Sequence, residues 1–204
     1  MRWTEDLRPA QWVVDSLTTF GWTVASLVPD TFEAYARIPN DSGDRTGVLD
    51  EGRFGRLVEV LAMFTPPDGP WWFAAWDGYG FMTGPPAVAV ARATRGATRQ
   101  PVEPQPPLWY TDLPAARLRL PDRTYAVMVG TLAEAGSIRP GPFWQSPNLW
   151  WPEDRSCLVA TEIDLTFTYV GGTAELIEAL LGAERVDARR SSADEPIGID
   201  APER

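Results

Sequence analysis

The chain has 204 residues, of which 44% are hydrophobic and 23% charged, and carries a formal net charge of -10; it is long enough for one real core, so a single domain is expected. All eighteen basic residues are arginine, and with neither lysine nor histidine the chain excludes imidazole-assisted nucleophiles, Schiff-base or phosphate-loop lysines and imidazole zinc sites. The single Cys157 excludes an internal disulfide or a cysteine zinc cluster made by this chain alone, and fits a reducing compartment.

The first periodic segment runs from Pro9 to Phe20, where Val13, Leu17 and Phe20 recur at helical spacing and Pro9 suits a first turn. Trp22 to Val28 and Phe32 to Ile38 alternate across a Pro29-Asp30 turn signal and predict two strands, read as a hairpin. The polar Asn40–Asp44 stretch is a loop, and a second helix covers Glu51 to Phe64, with Phe54, Leu57, Val58 and Leu61 as its apolar stripe. Trp71 to Trp76 is a short apolar run between turn residues, the pattern of a strand buried on both faces. Asp77-Gly78-Tyr79-Gly80 then forms a turn.

Beyond it, Ala87 to Ala91 reads as a strand and the proline-rich 99–107 stretch as an exposed loop. Leu108 to Thr111, Ala116 to Leu120 and Thr124 to Val129 are further strand candidates, and Thr131 to Ala135 is a helical turn. Ser156 to Leu165 reads as the best late strand, and Ala174 to Leu181 as a helix capped by Thr173 and stopped by Gly182. About three helices among some eight short, hairpin-like strands predict an α+β fold: one domain over residues 1–185, with a mostly antiparallel twisted sheet. From Val186 the chain offers few hydrophobic anchors, so 186–204 is expected to be a disordered polar tail.

The densest candidate surface is Ser146 to Arg155 leading into Ser156 to Asp164. In a continuous strand Glu162 and Asp164 share a face about 6.6 Å apart, a spacing open to paired carboxylate catalysis, or simply to two solvated acids. Asp77, at the end of the aromatic strand, is the third catalytic candidate. Trp150 and Trp151 are adjacent in an extended segment, so the pair either is divided between the two faces of a buried sheet, the reading given more weight, or turns one indole outward as a stacking platform. With Tyr79 and Asn148 they form the candidate binding surface, and Arg155, with its planar fork, is either a carboxylate clamp or a structural strut. Cys157 has apolar neighbours and reads as a small core residue. Gly171-Gly172-Thr173 offers backbone donors to an anion, a weak signal that capping alone explains.

The segments SPNLWWPEDR (146–155), VATEID (159–164), TYVGGT (168–173), FAAWDGYG (73–80) and VASLVP (24–29) together resemble a group of proteins from high-GC actinobacteria that carries no assigned activity. The resemblance implies a bacterial cytosolic origin, and transfers no catalytic or binding residue.

Net charge of -10 disfavours nucleic acid as a partner, because phosphate binding needs a basic stripe. The amino terminus becomes charged at once, so neither a leader nor a membrane span is expected, and the chain is placed in the cytoplasm. The leading expectation is a non-catalytic binding or interaction module, similar in charge to acidic inhibitors and immunity proteins, whose aromatic-lined surface holds a protein partner or a small molecule without cofactor or metal. The alternative is an acid–base enzyme working with two of Asp77, Glu153, Asp154, Glu162 and Asp164, for instance on a glycoside.

Overall fold

The computed structural model describes residues 1–17, 21, 23–41, 46–66, 69–79, 116–138 and 144–197. Nine antiparallel strands form one open sheet: β1 (Arg2–Trp3), β2 (Ala34–Pro39), β3 (Trp71–Trp76), β4 (Leu118–Leu120), β5 (Arg123–Gly130), β6 (Leu149–Pro152), β7 (Leu158–Thr161), β8 (Phe167–Gly172) and β9 (Arg189–Ser191). Their spatial order is β1-β5-β3-β6-β7-β8-β2-β9, with β4 also paired to β5. Three α-helices among the described residues, α1 (Gln11–Ser16), α2 (Glu51–Phe64) and α3 (Ala174–Gly182), complete a single-domain α+β arrangement.

Both faces of the sheet are covered, which explains why its central strands lack polar alternation. On one face Trp71, Phe73, Met128, Trp150 and Val159 pack under Phe54, Leu57 and Leu61 of α2 and Ile177 and Leu180 of α3. On the other, Trp72, Val127, Leu149, Trp151 and Leu158 pack under Val13 of α1, Leu17 just after it, and Val24, Leu27 and Val28 from the turn that follows. Since successive strand residues point to opposite faces, each Trp-Trp doublet sends one indole to each core.

The α2 bounds match the sequence reading; Asp50 starts the helix by accepting hydrogen bonds from the N–H groups of Gly52 (2.9 Å) and Arg53 (3.2 Å). Thr173 does the same for α3 through the N–H of Leu176 at 3.3 Å. The glycine pair before that cap is a packing requirement, because a Cβ on Gly171 would stand 2.5 Å from a Val28 methyl.

Several expectations are corrected. Val24–Ser26 is a 3-10 turn and not a hairpin strand, for Val24, Leu27 and Val28 recur at helical spacing and all three are buried. Its expected partner, β2, pairs instead with β8 and β9. The expected strand Ser156–Leu165 contracts to β7, since the chain turns at 162–165 where the Leu165 N–H donates to the Glu162 carbonyl. The expected tail is ordered through residue 197: Val186 and Ile197 are buried anchors, β9 pairs with β2, and Arg37 bridges Glu195 at 3.0 Å. Main-chain pairing supplies there what composition lacks, and a three-residue, arginine-bearing strand is the blunted kind found at sheet edges. The expected strands at 87–91 and 108–111 and the proline-rich stretch lie outside the described residues. No helix among those described is long and apolar enough to cross a membrane.

Candidate functional site

At the sheet end where β3 gives way to Asp77 and Tyr79, polar side chains replace the core. Asn148, just before β6, continues the ladder with its side chain: Oδ1 accepts from the Trp76 N–H at 2.8 Å and Nδ2 donates to the Thr161 carbonyl at 2.9 Å. The same amide nitrogen donates to the Tyr79 hydroxyl at 3.0 Å, which accepts a second bond from Gln145 Nε2 at 2.9 Å and donates to the Gly47 carbonyl at 3.3 Å. Burial pushes the Tyr79 phenol up to about 12, so it stays neutral at physiological pH. Tyr79 and Asn148, both singled out from the sequence, thus meet as parts of one brace.

Glu162 lies close by but is 5% exposed, and both of its oxygens are engaged. Oε2 accepts from Arg123 Nη1 at 2.7 Å and Oε1 from the Ile163 N–H at 2.7 Å. Arg123, itself 7% exposed, also donates to the Ser26 carbonyl at 2.7 Å, joining the sheet to the segment that covers it. Asp164 is exposed in the turn, so the expected same-face pair with Glu162 does not form: the strand ends at Thr161 before alternation reaches it. Asp77 bridges Arg117 at 3.1 Å. Each candidate carboxylate therefore occupies a different setting, one buried and paired, one partly exposed and paired, one solvated. Among the described residues no group of three or more acidic or cysteine side chains is arranged to hold a metal ion.

Of the two readings of Trp150-Trp151, division between two buried faces is what the structure shows, and neither indole is an outward platform, since both are 1% exposed. Trp150 lies against Phe54 (ring centroids 5.3 Å apart) and Trp71 (5.7 Å) in one core. Trp151 belongs to the other, where it meets the edge of Trp12 at 6.2 Å. The anion role considered for Gly171 to Thr173 is filled from within, because the Ala174 N–H donates to Glu33 Oε2 at 3.0 Å. Cys157 is fully buried, and desolvation pushes its thiol up.

Arg155 stands apart from these internal braces. It is exposed in the β6–β7 hairpin and holds a left-handed backbone, φ 59°, where glycine is the cheaper residue. The turn is fastened by the Arg155 N–H donating to the Pro152 carbonyl (3.0 Å) and by Asp154 Oδ1 accepting from the Ser156 N–H (3.0 Å) and hydroxyl (2.7 Å). In that pose the guanidinium lies 5.8 Å from the centre of the Trp12 ring. Trp12, half-buried on α1, also meets half-buried Phe32 edge-on at 6.4 Å, and its indole N–H is buried without an acceptor. Trp12 and Phe32, half-buried at the edge of the Trp151 core, are the aromatics of the site that sequence reasoning missed. The available signal was Trp12 lying beside, not on, the Val13–Leu17 stripe.

No family model, curated protein or solved structure matches this chain.

Proposed function

We propose that the protein works by binding and not by turnover, as a cytoplasmic interaction module that presents the Trp12, Phe32 and Arg155 surface to a protein partner. The observation that carries this reading is Arg155, exposed and carried by the β6–β7 hairpin over the ring of Trp12. Tryptophan and arginine are the residue types that dominate binding hot spots, and the hairpin turn fixes the backbone from which Arg155 reaches the ring. The acidity of the chain directs it toward proteins and away from nucleic acid. Glu162, with both oxygens engaged, and Asp77, bridged to Arg117, serve in this reading as braces.

The test is affinity capture from a bacterial lysate with wild type, Trp12→Ala and the rim reversal Asp15→Arg, each first shown to be folded by near-UV circular dichroism. A partner held by wild type and lost by both variants supports the module. Turnover of a chromogenic glycoside panel by wild type, abolished in Asp77→Asn, would overturn it in favour of acid–base catalysis.

A further inference from the structure

We infer that the Trp12 face is a docking surface for a cationic protein segment, one that places an arginine where the chain's own Arg155 now sits. The inference rests on the interaction reading above and assigns the partner's chemistry. Arg155 shows what the surface accepts, a guanidinium lying over the Trp12 ring. Its surroundings are acidic. Glu153 and Asp154 precede it in the hairpin, Asp15 follows Trp12 by one helical turn on the same side of α1, and Asp30 stands two residues before Phe32; all four are exposed. The nearby Arg8 is neutralised by Asp6, which accepts from Nε at 2.8 Å and Nη2 at 2.7 Å. Four exposed carboxylates thus lie along the segments that carry Arg155, Trp12 and Phe32, a balance that attracts positive charge.

Arg155 itself acts as a placeholder. Its exposed side chain can swing away while the hairpin stays fastened, and the ring it covers is given up to a better-placed cation. Occupation by a partner arginine therefore competes with a single exposed internal contact.

The chain contains its own control. Arg185 is also exposed and also left-handed, φ 66°, so replacing either arginine by glycine changes net charge and backbone strain alike. An octaarginine peptide is titrated into the labelled full-length protein at about 0.15 M salt, and binding is followed through the indole N–H resonances. Arg155→Gly is expected to tighten binding about threefold, the scale of one surface cation–π contact, with the Trp12 indole resonance among those that move. Arg185→Gly is expected to leave affinity within experimental error.

Equal effects of the two substitutions would reduce the binding to bulk charge and overturn the inference. So would resonance shifts confined to other faces, octaglutamate binding that Arg155→Gly abolishes, or self-association through this face seen by sedimentation. Those results reject the cationic partner while the capture experiment, with its own variants, decides the interaction reading separately.

Discussion

Replacing Arg123 by methionine strips Glu162 of its cation while keeping most of the side-chain volume. At 2.7 Å and an effective dielectric of about 20, the pair attraction is about 6 kcal/mol, most of it offset by taking two ions out of water. The net value of the pair is therefore small, but the single substitution leaves a carboxylate buried without its partner, a loss of about 3–5 kcal/mol. That is a large share of the 5–15 kcal/mol or so by which domains of this kind are stable. In Arg123→Met, Glu162→Leu no charge remains to desolvate. The double variant forfeits the bond to the Ser26 carbonyl and the acceptor of the Ile163 N–H, a cost of about 1–2 kcal/mol. Urea unfolding followed by tryptophan fluorescence measures all three proteins, and the single variant should be the least stable. A single variant as stable as the double, or one that loses under about 1 kcal/mol, would refute the view that this pair is a buried brace.

Gly47 has φ 75°, and a Cβ there would stand 2.8 Å from the Ile163 carbonyl oxygen, so Gly47→Ala should lose about 2 kcal/mol or more in the same assay; an unchanged midpoint would sink the point. The Glu134 carboxyl is held down at about 2, first by the hydrogen bond from the N-terminal ammonium and then by the Thr131 N–H, against an ordinary 4.5. Because its folded value lies below its unfolded one, its contribution is full above 4.5 and disappears as pH falls toward 2; Glu134→Gln should flatten the acid limb of the stability curve in that window, and an identical limb would count against the pair. Desolvation holds the Cys157 thiol protonated and unreactive, so labelling by a disulfide reagent should proceed only at the rate of unfolding, and immediate reaction of the native protein would contradict its burial.

What could be read from the residues was what depends on local pattern. Glu51–Phe64 carries a helical stripe, and Trp71–Trp76 is too apolar to have a wet side; both appear with the expected bounds. β6, β8 and β9 were not legible because their evidence is non-local. Leu149–Pro152 is a strand by virtue of its place between β3 and β7, and Arg189–Ser191 by virtue of the free edge of β2. The Val24–Val28 segment was misread because β-branched composition was weighed above its i, i+3, i+4 spacing.

The candidate site divides along the same line. Alternation around Arg123 puts it on the face of Tyr125 and Val127, and a charge on a buried face demands a partner, so an internal salt bridge was inferable although Glu162 as its other half was not. The tryptophan doublets show why an unusual sequence is a poor guide to a surface: adjacent indoles are what a sheet with two cores requires, and Trp150 and Trp151 are consumed by that need. A residue explained by packing has no free face left for recognition. The informative residues are those that packing leaves half-used, such as Trp12, which meets Trp151 and Phe32 at right angles and carries an exposed arginine over its ring. That arginine can leave without opening either core, whereas Arg37, over the Phe167 ring at 4.9 Å, is tied to Glu195 and flanks the β9 pairing. The proposed recognition at Trp12 therefore draws on what the fold can spare.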